Sequence, residues 1–244
     1  MAIALQTSLL GVADTGAAGA NYDTVFTPAA ALNGLCAIII DSTSTSDPVT
    51  SCTYGTGAGA VPLTRAPSPY GFATEATEPG GVLIYYAGDS TIWPSGAQTL
   101  RIVKANADNI RVAIYSMTVA AGQVVALDGG ATGTSASVAN PSWTHASTVN
   151  NVLAFLGIHS GLQTMTTTPT SPWALTPAGS SEDVGNVGRG WASRTLATAG
   201  ALAPAWTAAT ADDFVGCSIA FREQAAPVAT RRKRARNSYP QYRR

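Results

Sequence analysis

The chain has 244 residues, of which 45% are hydrophobic and only 11% are charged. A chain of this length buries enough surface to fold without a metal or a disulfide. Its scarcity of long charged side chains, with only two Lys, favours β-strands over helices. So few charges protect a free-standing surface poorly against association, which favours a chain whose surface is largely covered by neighbouring subunits. The alternative is a polar surface coated with Ser and Thr.

Short apolar runs separated by turn residues follow one another through the first half of the chain. After a loosely alternating stretch at 2–13, the predicted strands are 21–28, 34–41, 49–55, 61–66, 81–88, 98–105 and 109–119. In 109–119 the even-numbered residues from Ile110 to Ser116 face one side, and the odd-numbered residues from Arg111 to Met117 face the other.

The second half repeats the pattern, with predicted strands at 149–160, 187–196 and 214–223 and a Pro/Thr-rich loop at 166–177. Turn clusters at such regular spacing are typical of sandwiches and jelly rolls. We therefore predict an all-β protein, with a β-sandwich or jelly-roll domain over residues 1–224 and an extended basic C-terminal arm over 225–244. Two sub-halves, near 1–130 and 131–224, are the alternative organisation of the domain.

The net charge of zero conceals a strong asymmetry along the chain. All fourteen acidic residues lie between Asp14 and Glu223, whereas seven of the fourteen basic residues lie in the last fourteen positions. The body therefore carries −7 and the terminal segment +7. Such a segment has no apolar periodicity with which to form a core, so we interpret it as an arm.

Three interpretations of the arm remain open: a solubilising tail, a nucleic-acid contact in which Arg neutralises phosphate and Tyr stacks on bases, and a docking arm. We favour the third, in which the arm crosses onto an acidic neighbouring subunit, and nucleic acid is not the expected partner. The predicted partner-binding residues are Arg231, Arg232, Lys233, Arg234, Arg236, Tyr239, Tyr242, Arg243 and Arg244.

No motif in the sequence points to catalysis, a metal or a cofactor. The glycine string at 55–60 is followed by Pro62 in a strand-like run, and not by the helix that a phosphate loop requires. The two histidines, His145 and His159, accompany no GxSxG or comparable signature. We therefore predict no enzyme, with no catalytic residue, no metal ligand and no cofactor.

The three cysteines have neither CxxC nor metal-type spacing. Cys36 and Cys217 lie in apolar runs, where a reduced thiol acts as a small hydrophobe, and a Cys36–Cys52 bridge is the alternative. The acidic pairs Glu182–Asp183 and Asp212–Asp213 lie in runs of Gly, Ser and Thr, and we interpret them as solvated loop charge.

Five tryptophans occur at positions that read as turns or loop edges. Exposed tryptophans stack on sugars or anchor protein interfaces, and partly covered ones cap the ends of sandwiches, so three roles are open. The candidate interface or glycan anchors are Trp143, Trp173, Trp191 and Trp206.

No apolar stretch approaches the ~20 residues of a membrane helix. The first twenty residues lack a positive start and contain Gln6, Thr7 and Asp14, so we do not expect a signal peptide.

Three segments carry a family resemblance: VTSCTYGTGAGAVPLTRA (49–66), GVLIYYAGDSTIWPSGAQTLRIV (81–103) and NIRVAIYSMTV (109–119). In this order they resemble a recurring β-sandwich of tailed-bacteriophage structural proteins, and VGCSIAFRE (215–223) is similar to the final strand of such proteins. The departures are Cys52, which stands where the family has an aliphatic residue, and a glycine insertion longer than the family's Gly-Gly.

The resemblance implies a non-enzymatic virion structural protein, either a capsid accessory or decoration protein or a minor tail protein. It would assemble in the cytoplasm of the bacterial host and end in the virion. Its implied partners are other virion proteins and copies of itself, with no membrane. The rival hypothesis, from another class, is a carbohydrate- or receptor-binding β-sandwich module at a phage tail tip or fibre, with a glycan as ligand.

Overall fold

A computed structural model of the chain describes residues 2–11, 21–29, 31–42, 44, 46–69, 72–74, 80–88, 93–105, 110–160, 169–177, 181–184, 187–208 and 211–227. These residues are mostly in antiparallel strands, and their one helical turn is a 3₁₀ turn at Gly57–Gly59. The prediction of an all-β, sandwich-like fold is confirmed.

The described residues form eighteen strands. In chain order they are β1 (Ala4–Leu10), β2 (Asn21–Phe26), β3 (Gly34–Asp41), β4 (Val49–Tyr54), β5 (Val61–Pro62), β6 (Thr64–Arg65), β7 (Phe72–Thr74), β8 (Gly81–Ala87), β9 (Gln98–Lys104), β10 (Ile110–Thr118), β11 (Gln123–Val138), β12 (Ala146–Ser147), β13 (Val152–Ser160), β14 (Ala174–Leu175), β15 (Ser181–Val184), β16 (Val187–Leu196), β17 (Gly200–Ala201) and β18 (Asp212–Ala225).

Three larger sheets and one small one organise these strands. The central sheet has the order β1-β10-β3-β8-β6, with β7 also paired to β8. The front sheet has the order β2-β9-β4-β5, and the rear sheet β11-β18-β13-β16-β14, with β15 paired to β16. Strands β12 and β17 form a two-stranded sheet of their own.

The central sheet is buried on both of its faces. Towards the front sheet, Ile39 and Leu83 share a hydrophobic cluster with Tyr54 and other front-sheet residues. Towards the rear sheet, Ile38 shares another cluster with Phe155. Because both faces are covered, β3 carries a continuous apolar run and all eight of its residues are buried. The sandwich-like fold therefore has three sheet layers.

Two contacts fix the spacing between the central and rear sheets. The indole Nε1 of Trp191 in β16 donates a hydrogen bond to the carbonyl of Ile38 at 3.1 Å. In β13, a Cβ at Gly157 would lie 2.5 Å from Cγ2 of Ile38, so the absence of a side chain there lets the two sheets approach closely. These contacts join the strands of 4–118 to those of 123–225 through one shared core.

The outer face of the rear sheet is covered by loops. Trp173, Leu202 and Trp206 are buried there against Ala154 and Leu156 of β13. The rear sheet is consequently apolar on both faces, and β13 is buried along its whole length.

Several sequence predictions agree closely with the structure, and some need correction. The predicted strands 34–41 and 187–196 coincide with β3 and β16, and the hairpin around the glycine string is formed by β4 and β5. The longest strand, β11, was not predicted, and the proposed boundary near residue 130 falls inside it.

The assignment of both acidic pairs to loops is wrong. Glu182 and Asp183 lie in β15, whose backbone pairs with β16. Asp212 begins β18, where it is buried and accepts a hydrogen bond from the hydroxyl of Ser160. Asp212 is therefore an internal hydrogen-bond acceptor and not a solvated charge.

Candidate functional site

Three of the four candidate tryptophan anchors are core residues. Trp173, Trp191 and Trp206 are 4%, 0% and 1% exposed. A side chain this deeply buried offers no ring face to a glycan or a protein in solution, which corrects their interpretation as surface anchors. Trp191 also lies within β16 and not at a loop edge. Its ring packs between the central and rear sheets.

Trp143 is the candidate anchor that keeps partial exposure. It lies over Gly133 of β11 and Gly216 of β18, which face each other directly across the two strands. A Cβ at Gly216 would lie 2.4 Å from the indole ring, so the glycine pair provides the flat surface on which the ring rests. Its Nε1 donates a hydrogen bond to the hydroxyl of Ser218 at 3.0 Å.

A serine–histidine pair lies next to this tryptophan. The Oγ of Ser218 and the Nδ1 of His145 are 2.9 Å apart, and both residues are buried. Burial lowers the pKa of His145 to about 4, and the charge of Asp128 opposes this effect without outweighing it. A neutral imidazole that is closed off from solvent holds the loop against the rear sheet, but it does not present a nucleophile to a substrate.

The three cysteines are free and buried, which confirms the interpretation of reduced core thiols. Burial raises the pKa of each thiol above its usual range, so none is activated as a nucleophile. In the part of the chain that the structure describes, no group of three or more His, Cys, Asp or Glu side chains could hold a metal ion. That part also contains no helix long and apolar enough to cross a membrane.

Polar groups are buried towards one end of the stacked sheets. Arg189 of β16 donates a hydrogen bond to the hydroxyl of Ser42 just beyond β3, and His159 is buried at the end of β13 with its ring against Gly80. Towards the front sheet, Asp41 and Lys104 are both buried, and the ammonium of Lys104 lies 4.5 Å from the ring centre of Tyr22. These groups lie inside the fold, so the charges of Arg189, Asp41 and Lys104 are not on its surface.

An open groove of about 580 Å³ lies where the three larger sheets meet. Its walls come from β5 of the front sheet, from β6 and the end of β8 in the central sheet, and from the start of β11 in the rear sheet. Gln224 and Pro227, near the point where the described chain ends, also line the groove. None of the described lining residues is charged. The volume lies within the range of natural ligand sites, and the wall is mostly apolar.

The floor of the groove is a close contact between two backbones. The amide of Val125 donates a hydrogen bond to the carbonyl of Gly88 at 3.2 Å. A Cβ at Gly88 would lie 2.3 Å from the carbonyl oxygen of Val125, so only glycine permits this approach. The contact ties the central sheet to β11 and holds the groove walls in place.

Strand edges border the groove. Strand β5 ends the front sheet, β6 ends the central sheet and β11 ends the rear sheet in their orders of pairing. Such edges carry backbone donors and acceptors that can pair with an added extended chain. Thr64 in β6 and Pro62 in β5 are exposed at the rim, and the ring of Tyr86 in the wall packs 5.4 Å from that of Phe221.

Part of the charge among the described residues is paired or buried. Arg101 forms a two-contact ion pair with Asp23 at 2.6 and 2.8 Å, and Arg65 pairs with Asp47 at 2.5 Å. Four further charged residues are buried: Asp41, Lys104, Arg189 and Asp212.

The predicted partner-binding arm residues, from Arg231 to Arg244, lie outside the described residues. Sequence reasoning did not find the groove, because its walls come from segments far apart in the chain. No family model matches the sequence, and no curated protein matches it.

Proposed function

We propose that this chain is a non-enzymatic structural subunit of a bacteriophage virion, an accessory or decoration protein or a tail component. It binds neighbouring subunits in a symmetric assembly, and copies of itself are among its partners. The resemblance of residues 49–66, 81–103 and 109–119 to phage β-sandwich proteins supports the class of particle.

The observation that carries the proposal is the charge-poor exterior. The sequence has only 11% charged residues, four of those described are buried, and two ion pairs neutralise others. A surface of this kind has little protection against association, and repeated burial against other subunits removes that problem. The three-layer core supplies a rigid body for such contacts.

Self-association of the purified full chain tests the proposal. We expect the weight-average mass in sedimentation experiments to increase with concentration and to reach a defined oligomer. A chain that stays monomeric at about 1 mM, where even weak contacts are populated, would contradict the proposal.

Deletion of residues 231–244 tests the role of the arm in the particle. We expect the shortened chain to be incorporated into particles less than the full chain, because the arm provides a second contact with a high effective concentration. Normal incorporation would reject the docking role.

The partial exposure of Trp143 leaves one observation in favour of a receptor-binding module. Specific binding on a glycan array that is lost in Trp143→Ala would favour that function. Trp173→Ala is not a suitable probe, because Trp173 is buried and its indole donates to the carbonyl of Leu202 at 2.9 Å.

A further inference from the structure

The groove between the three sheets is bordered by strand edges, and among the residues that the structure describes its lining has no charged side chain. Its walls contain apolar side chains from β5 and β11 and the aromatic ring of Tyr86. An occupant of matching chemistry is therefore an extended, uncharged segment with apolar or aromatic side chains.

The C-terminal segment of the chain contains one such stretch. Residues 237–242 read Asn-Ser-Tyr-Pro-Gln-Tyr and carry no charge, although arginines precede and follow them. Tyr and Pro provide large contact areas at a low cost in conformational entropy, and Pro favours an extended backbone. The flanking arginines are opposite in charge to the body of the chain, which carries −7.

The position of this stretch favours a groove on another copy. Residues 228–236 separate it from Pro227, which itself lines the groove, and five of these nine residues are basic. A highly charged spacer repels itself and extends, and nine residues span up to about 30 Å. An extended spacer carries the uncharged stretch away from its own groove and towards a neighbour.

We propose that residues 237–242 of one copy bind in the groove of a neighbouring copy, as an extended segment alongside the open edges of β6 and β11. Tyr239 and Tyr242 fill the apolar space, and the flanking arginines contact the acidic body. This inference rests on the self-association proposed above, and it names the surface that receives the arm.

Disulfide trapping between two full-length variants tests the proposal. A Thr64→Cys chain is mixed with a Ser238→Cys chain and oxidised mildly. Thr64 is exposed at the rim, Ser238 lies beside Tyr239, and the three native thiols are buried and unreactive. We expect a covalent dimer whose 64–238 linkage is identified by peptide mass spectrometry.

A matched control replaces Thr64→Cys with Val25→Cys. Val25 is 64% exposed on β2, at the opposite edge of the front sheet from β5. We expect at least about tenfold less linkage to Ser238→Cys at this position, because the effective concentration is high only at the groove.

Two variants of opposite charge at Thr64, on the rim of the groove, provide a second measurement. We expect Thr64→Arg to weaken self-association of the full chain by about tenfold, because it places a cation beside an arginine-flanked segment. Thr64→Glu, of similar size and opposite charge, is expected to preserve association. Equal association of both variants and the unmodified chain would overturn the proposal.

The remaining outcomes separate this inference from the proposed function. If the full chain associates but gives no preferential 64–238 linkage, the groove assignment fails and the structural function stands. If a chain carrying both substitutions links only within itself, the arm binds its own groove and the proposal is overturned. If the chain does not associate at all, the proposed function fails as well.

Discussion

His145 connects the loop before β12 to the rear sheet through Ser218. Its Nε2 is buried without a hydrogen-bond partner among the described residues, which makes protonation of the ring in the folded state unfavourable. The pKa of His145 therefore falls from 6.5 to about 4 in the folded chain.

We predict that the folded chain loses stability as the pH falls from 6.5 towards 4. The unfolded chain binds a proton at His145 in this window and the folded chain does not, so acidification favours unfolding by up to about 1.4 kcal/mol per pH unit. Urea denaturation at several pH values measures this slope. His145→Asn, whose amide can keep the contact with Ser218, is expected to reduce the slope between pH 6.5 and 5. The prediction would be contradicted if the free energies of unfolding of the unmodified chain and of His145→Asn changed with pH in parallel.

Strand β11 depends on small side chains at particular positions. Gly133 lies beneath Trp143, and a Cβ there would be 2.6 Å from the Cβ of that tryptophan. Gly129, in the same strand, has no heavy atom within 4 Å of the position its Cβ would occupy. Comparing an alanine substitution at each glycine therefore separates the effect of a clash with Trp143 from the general effect of replacing a glycine in this strand.

We predict that Gly133→Ala lowers the free energy of unfolding by about 1–3 kcal/mol, because the indole must move off the rear sheet. Gly129→Ala is expected to change it by no more than about 0.5 kcal/mol. Urea denaturation followed by tryptophan fluorescence measures both variants. Equal stability of the two variants would show that Trp143 does not rest on the glycine pair.

At the scale of the whole molecule, charge is divided between an acidic body and a basic C-terminal segment. In the self-association proposed above, a body of −7 and a segment of +7 would attract each other between copies. Salt would screen this attraction at distances beyond about 10 Å at 0.1 M and about 3 Å at 1 M. Salt would not weaken the apolar contacts proposed for the groove in this way.

We predict that self-association of the full chain weakens by about tenfold between about 0.1 and 1 M NaCl. The chain without residues 231–244 is expected to associate more weakly and not to lose association as the salt concentration rises, because it lacks the cationic segment. Sedimentation equilibrium over the salt series provides the measurement. Association that strengthens steadily with salt would show that the charged segment does not contribute.

Local sequence predicts those strands in which the pattern of apolar side chains shows which faces are buried. The run from Leu35 to Ile40 is apolar on both faces, so β3 is recognisable as a buried strand, and the alternation in β10 places Val112 and Tyr115 on opposite faces as predicted. Strand β11 lacks such a signal, because residues 129–137 are Gly, Ala, Ser and Thr, which are equally common in loops.

The amino-acid sequence by itself determined the all-β class, the places of most strands and the separation of acidic body from basic segment. These properties follow from composition and from the two-residue period of a strand, which are local. Only the tertiary structure decided that three sheets stack, that Trp191 is buried between two of them, and that a groove opens among β5, β6 and β11. Each of these depends on contacts between residues distant in the chain, such as Trp191 with Ile38 or Val125 with Gly88, and such contacts leave no pattern in neighbouring residues.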